Sequence, residues 1–239
     1  MVIGIGMHVQ DPSDDSMNLA MSEAGRPLYD AVKAFVTADV EPLTEEFFRL
    51  GEGRADRWSW APGQLELLDG LKAKARQKGL WNFFLPDDET GQGLSNLDYA
   101  YIAAELGRSR LASESLNCSA PDTGNMEVLE RVGTPEQKEQ WLEPLLNGKI
   151  RSCFGMTEPG LASSDAKNIA TQAVLDGDEW IINGEKYYIS GAGDPRCKVM
   201  ICMVQTSPDG PPHRRQSQIL IPMDTPGVNI LGPMQVFGQ

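Results

Sequence analysis

The apolar pattern of this 239-residue chain changes its period once, near Lys149. Upstream, apolar residues recur every three or four positions; downstream, short β-branched and aromatic runs alternate with turns. A helix buries one stripe and a strand buries alternate residues, so the two patterns belong to different layers. The chain is therefore expected to be an α+β multidomain protein. An all-α N-terminal domain of six helices should cover residues 21–150, and a β-barrel or β-sandwich domain residues 151–239. Residues 1–20 read as an extension.

The helical half carries its own punctuation. Leu28, Val32, Phe35 and Val36 mark a helix over 26–39, and Pro42 stands near the start of a second segment with Phe47 and Phe48. From Pro62 to Gly79, Leu65, Leu68, Leu71 and Ala75 form one stripe, and Gly79 suits a helix C-terminus. Residues 86–93 form a turn-rich loop. Ser95 and Asp98 then start a helix faced by Tyr99, Ile102, Ala103 and Leu106. Asp122 and Asn125 read as another helix start rather than as ligands. Thr134-Pro-Glu-Gln137 joins a capping residue, proline at the first helical position and glutamine three residues on. Trp141, Leu142, Leu145 and Leu146 follow as the buried face, and Asn147-Gly148 ends the helix. Strands are expected at 150–156, 167–176, 179–189, 197–205, 217–222 and 227–231, with Asp176-Gly-Asp178 turning a hairpin.

Charge and cysteine usage exclude several classes. A net charge of −13 disfavours nucleic acid and anionic membrane surfaces as partners. A phosphorylated ligand would need a local cluster of donors. Cys118, Cys153, Cys197 and Cys202 include no C-x-x-C pair, and His8 and His213 are the only histidines, so a structural zinc site is not expected. The thiols read as reduced and packed, in a reducing compartment. Met1–Met7 is apolar but short and lacks a basic flank, which fits a signal peptide poorly. No apolar run approaches the ~20 residues that span a bilayer.

Two segments of the β-half carry chemistry. Phe154-Gly-Met-Thr-Glu-Pro-Gly-Leu-Ala-Ser-Ser-Asp165 and Trp180-Ile-Ile-Asn-Gly-Glu-Lys-Tyr-Tyr-Ile-Ser-Gly191 each read as a strand running into a turn of small polar residues. Such turns leave main-chain N–H groups and hydroxyls free to meet a ligand. An isolated Thr-Glu-Pro would mean only a capped turn. The pair, after this helical block, means more. His213-Arg214-Arg215 has the charge to meet a ligand phosphate, but Pro208, Gly210, Pro211 and Pro212 just before it favour a solvated loop between strands. Gly191-Ala-Gly193 lacks the third glycine and helix of a dinucleotide fingerprint.

With Thr157-Glu-Pro159, Ser164-Asp165 and Ile182-Asn-Gly-Glu-Lys186, nearly the whole chain resembles the acyl-CoA dehydrogenases. The stretches Asn117–Met126, Ala162–Asp165, Ser190–Lys198 and Ile221–Gly227 resemble one long-chain subfamily, whose animal members are fused to a phosphotransferase-like domain that is not among these 239 residues. The resemblance implies FAD as cofactor and α,β-dehydrogenation of acyl-CoA thioesters, as in fatty-acid β-oxidation. It implies an electron-transfer flavoprotein as acceptor, a homodimer or homotetramer, and a cytoplasmic location (mitochondrial or peroxisomal matrix in a eukaryote). It implies that Phe154, Met156 and Thr157 meet the isoalloxazine, that Ser163 and Ser164 reach the flavin diphosphate, and that Ser164 approaches the CoA thioester arm. Tyr188, Ile189 and Ser190 would form the second flavin strand. Tyr188 often has tryptophan at its place in the family, and Ser190 threonine. The family's turn after Thr-Glu-Pro is one residue shorter than Ala162-Ser-Ser-Asp165, which leaves Ser163 and Ser164 to share one role. The family's catalytic base lies in a C-terminal helical domain beyond the part this chain resembles, so these residues supply none and the chain reads as a fragment. Glu158 braces its turn. Two alternatives stand beside this reading: an acyl-CoA oxidase or monooxygenase on the same scaffold, and a non-catalytic binding module.

Overall fold

The computed structural model describes residues 19–54, 56, 58–86 and 91–234. The expected extension lies almost wholly outside these residues, as does the middle of the 86–93 loop. The helical half contains α1 (Arg26–Phe35), α2 (Glu41–Gly51), α3 (Gln64–Gln77), α4 (Asn96–Leu106), α5 (Ala112–Ser115), α6 (Asp122–Val132), α7 (Pro135–Gln137) and α8 (Glu143–Leu146).

Two of the junctions are π turns. Val36–Val40 joins α1 to α2, and Lys138–Leu142 joins α7 to α8. Each ends two residues before the proline of a Glu-Pro-Leu triplet, Pro42 and Pro144. Proline cannot donate to the carbonyl four residues back, and its ring collides with it; a wider turn removes the collision and lets the helix continue. Pro42 therefore continues the first helix instead of opening a second. Counted through these turns, the described residues form six helical rods, the number expected, but Ala112–Ser115 supplies one that the periodicity does not mark, in place of the segment expected at Pro42.

The caps match the sequence. Ser95 accepts the Asp98 N–H at 3.1 Å, and Thr134 accepts the Gln137 N–H while Gln137 returns a bond to the Thr134 N–H. Gly79 (φ 70°) and Gly148 (φ 58°) close their helices in the left-handed conformation. One large core fills the helical half, built on Phe35, Leu68, Leu71, Ile102, Leu129 and Leu145. Each such side chain contributes roughly 1.5–3 kcal/mol on burial.

The β-half is one five-stranded sheet of β1 (Arg151–Gly155), β2 (Gln172–Asp176), β3 (Glu179–Asn183), β4 (Cys197–Gln205) and β5 (Gln216–Pro222). β5 runs antiparallel along one edge of β4. β1 and then β2 run parallel along the other, β1 up to Cys202 and β2 at Gln205. Residues 156–171 must therefore leave the sheet between β1 and β2 and return to it. β2 and β3 form the expected hairpin, with Gly177 at φ 62°.

Three strand expectations need correction. The run 167–176 begins with a 3-10 turn, Ala166–Asn168, so its strand starts at Gln172. The run 179–189 ends at Asn183, which pairs with Gln172, the first residue of its partner β2. The span Tyr188–Ser190 is consequently a loop, not a strand. No strand forms at 227–231 among the described residues, since a turn after β5 takes the Val228 N–H onto the Thr225 carbonyl at 3.0 Å.

Asp122 and Asn125 do mark a helix start, since α6 begins at Asp122. They sit in the first turn of α6, yet neither caps it. Asp122 accepts from the N–H and hydroxyl of Ser152 at 2.7 and 2.6 Å, and Asn125 donates to the Ser152 hydroxyl and the Cys153 carbonyl at 2.8 and 3.1 Å. These side chains anchor β1 on the helical domain.

Candidate functional site

The 156–171 excursion is organised by one carboxylate. Glu158 is 3% exposed. Its oxygens accept from the Ala170 N–H at 2.7 Å, the Thr171 N–H at 2.9 Å and the Lys186 ammonium at 2.7 Å. Burial pushes this carboxyl up, but the bonds from Lys186, Thr171 and the Ala170 amide outweigh it and hold the group down to about 2. A carboxylate this stabilised is a poor proton acceptor. Glu158 braces the turn, as its sequence setting suggests.

The same residues bring the second segment alongside the first. Lys186 also donates to the Met156 carbonyl at 3.1 Å. Thr157 and Tyr187 exchange two bonds: the Tyr187 N–H donates to the Thr157 carbonyl at 2.9 Å, and the Thr157 hydroxyl donates to the Tyr187 carbonyl at 2.5 Å. The Thr157 proton is thus directed at the main chain, leaving its oxygen lone pairs for a ligand. Gly155, just before, packs where any side chain would meet the Met200 sulfur at 2.7 Å.

The two serines divide. Ser163 is 2% exposed and accepts the Glu158 N–H at 2.6 Å, so its hydroxyl serves the turn itself. Ser164 is exposed, and its hydroxyl has no hydrogen-bond partner among the described residues. Ser190 is exposed and likewise unpartnered there. Tyr188 adopts a left-handed backbone (φ 55°), rare for an aromatic residue. The residue is 53% exposed, and its ring centre lies 4.8 Å from that of Tyr187. Phe154, Met156 and Ile189 are half-buried around this clasp. The structure therefore joins both predicted segments at Thr157 and leaves Ser164, Tyr188 and Ser190 accessible.

Sequence reasoning did not single out the ion cluster beneath. Glu114 of α5 bonds Lys72 at 3.0 Å, Arg151 at 3.5 Å and Arg196 at 2.6 Å. Arg196 also pairs with Asp194 at 2.7 Å, and Arg151 with Asp122 at 2.7 Å. Burial raises the Glu114 carboxyl, but its three cations hold it at about 2. The partners are up to 82 residues apart, so no local pattern reveals them.

Comparison with known proteins places this arrangement among relatives. The family described as acyl-CoA dehydrogenase, N-terminal domain, matches residues 22–149, and acyl-CoA dehydrogenase, middle domain, matches residues 153–239. Acyl-CoA dehydrogenase family member 10 of Mus musculus is 48% identical over 91% of this chain, which spans 20% of that protein. Probable acyl-CoA dehydrogenase FadE2 of Mycobacterium tuberculosis is 47% identical over 93% of this chain, which spans 53% of it. A solved chain from Mycobacterium abscessus is 49% identical with a TM-score of 0.83, over 92% of this chain and 55% of that one. A glutaryl-CoA dehydrogenase from Mycobacterium smegmatis, solved in complex with FADH2, is 26% identical with a TM-score of 0.62, over 89% of this chain and 48% of that one.

Proposed function

Because this chain belongs to the acyl-CoA dehydrogenase family, we propose that it forms the N-terminal and middle part of an FAD-dependent enzyme that dehydrogenates acyl-CoA thioesters between Cα and Cβ. The Thr157–Tyr187 clasp carries the reading. It holds two polar turns side by side and leaves two unpartnered hydroxyls and an exposed aromatic ring next to them. This donor set suits FAD, and the related glutaryl-CoA dehydrogenase was solved with FADH2. When bound, FAD supplies the two-electron acceptor for hydride leaving Cβ.

The residues present have distinct parts. Ser190 and the main chain of the 157–164 turn offer hydrogen bonds to the flavin. Tyr188 covers its ring, and Phe154 and Met156 supply apolar wall. Ser164 reaches the flavin diphosphate and the thioester arm. Ser163 holds the turn in shape through the Glu158 amide. Glu158 is committed as a carboxylate and takes no α-proton, so the base is proposed to come from outside these residues. Electrons are proposed to pass to an electron-transfer flavoprotein, with the enzyme a homo-oligomer acting in the cytoplasm or a matrix compartment in fatty-acid β-oxidation.

The test is direct. The full-length protein, purified gently, should release FAD, and its flavin should bleach when straight-chain acyl-CoA thioesters are added without oxygen. A colourless protein would remove the cofactor and the reaction together. Rapid oxygen consumption during turnover would move the protein to the acyl-CoA oxidase alternative.

A further inference from the structure

The loop that follows Ser190 is held by polar and ring contacts from outside rather than by apolar side chains of its own. It runs Ser190-Gly-Ala-Gly-Asp-Pro-Arg196, with Gly191 in the left-handed conformation (φ 81°). Two glycines and one alanine give it no apolar anchor of its own. Its fixed end is Arg196. That guanidinium bonds Asp194 through Nε and Nη2 at 3.1 and 2.7 Å and reaches Glu114 on α5 at 2.6 Å. It stacks 4.4 Å from the Trp60 ring centre, and the Trp60 N–H donates to Asp194 at 3.4 Å. Gly193 packs against the Trp58 indole so closely that a Cβ would collide with it. Every one of these outer contacts belongs to the helical domain.

The restraint passes back along the loop. The Asp194 N–H donates to the Gly191 carbonyl at 3.0 Å, and the Ala192 N–H to the Ile189 carbonyl at 3.3 Å. Ser190 lies inside the Ile189–Ala192 turn, which the Gly191–Asp194 turn follows directly. We propose that Arg196 is a positioning residue: its planar fork, joining Asp194 to Glu114, sets the Ser190 hydroxyl relative to the flavin-facing turn at 157–164. This rests on the flavin reading above. A planar guanidinium meets two carboxylates and an indole at once, which an ammonium cannot. Lys72 joins the same Glu114 from α3 and, among the described residues, makes no hydrogen bond or ion pair to the 190–196 loop. It separates positioning from mere cohesion of the Glu114 ion cluster.

The experiment compares Arg196→Gln, Arg196→Lys and Lys72→Met in the FAD-loaded full-length protein, reading the flavin midpoint potential by dye-coupled titration and the melting temperature alongside it. Loss of one well-placed donor to the reduced flavin changes its reduction equilibrium about tenfold, or about 30 mV for a two-electron couple. Arg196→Gln is expected to lower the potential by that amount, and Arg196→Lys to shift it the same way. Lys72→Met is expected to lower the melting temperature with the potential unchanged. If Arg196→Gln does not fold, Arg196→Lys carries the measurement. An unchanged potential in the Arg196 variants, or an equal shift in Lys72→Met, overturns the positioning role alone. A wild-type protein that binds no FAD overturns it together with the reading beneath it.

Discussion

Replacing Glu158 by glutamine tests the organisation of the site at its hub. The change keeps the side chain's shape but removes the charge that faces Lys186 and two main-chain amides. Two routes give its size. A carboxyl held at about 2 against an ordinary 4.5 corresponds to about 3 kcal/mol of folding free energy. Removing one partner of a buried ion pair costs about 3–5 kcal/mol, and Lys186 and Glu158 are 9% and 4% exposed at their side chains. We therefore expect Glu158→Gln to destabilise the full-length protein by about 3 kcal/mol at neutral pH. The sign with pH follows from the depressed value. The stabilisation is complete above 4.5 and is lost as pH falls towards about 2. Urea unfolding of wild type and variant, at neutral pH and again below the ordinary glutamate value, reads both. Glu114 is also held at about 2, so wild type and variant share its acid loss and only their difference reports Glu158. A neutral-pH cost under about 1 kcal/mol, or a difference that does not shrink in acid, would refute the reasoning.

Asn125→Ala should cost about 1–3 kcal/mol, because it strips the Cys153 carbonyl and Ser152 hydroxyl of a buried donor; denaturant titration measures it. Gly193→Ala should cost about 1–3 kcal/mol by forcing Trp58 aside, seen as a lower melting temperature and a changed tryptophan emission. The 239-residue chain alone is expected to turn over no acyl-CoA with a dye acceptor, since its best-placed carboxylate is engaged as a brace.

Much of the fold is legible because its signals are local. The Thr134 box, the Ser95 cap and the Gly177 hairpin depend on residues within four positions of one another. What was hidden depends on distance. Pro42 reads as a break, and only the π turn before it keeps the helix whole. Asp122 and Asn125 are good helix-start residues by type, but Ser152 offers them a buried partner across the domain boundary, and that tertiary bond wins over local capping. The second segment was legible in composition and not in shape. Its Tyr-Tyr-Ile-Ser run has strand propensity, yet the partner strand β2 begins only at Gln172, opposite Asn183, and Lys186 beyond it is drawn to Glu158, so the run is a loop. Ser163 and Ser164 differ by one position, and only the Glu158 amide decides which of them faces inward.

A structure of the full-length protein with its cofactor tests the clasp most directly. The isoalloxazine is expected to lie beside Tyr188, within hydrogen-bond reach of Ser190 and the main chain of the Thr157 turn, with the Thr157–Tyr187 bonds intact. A flavin seated elsewhere, or one that binds only after those two segments separate, would contradict this.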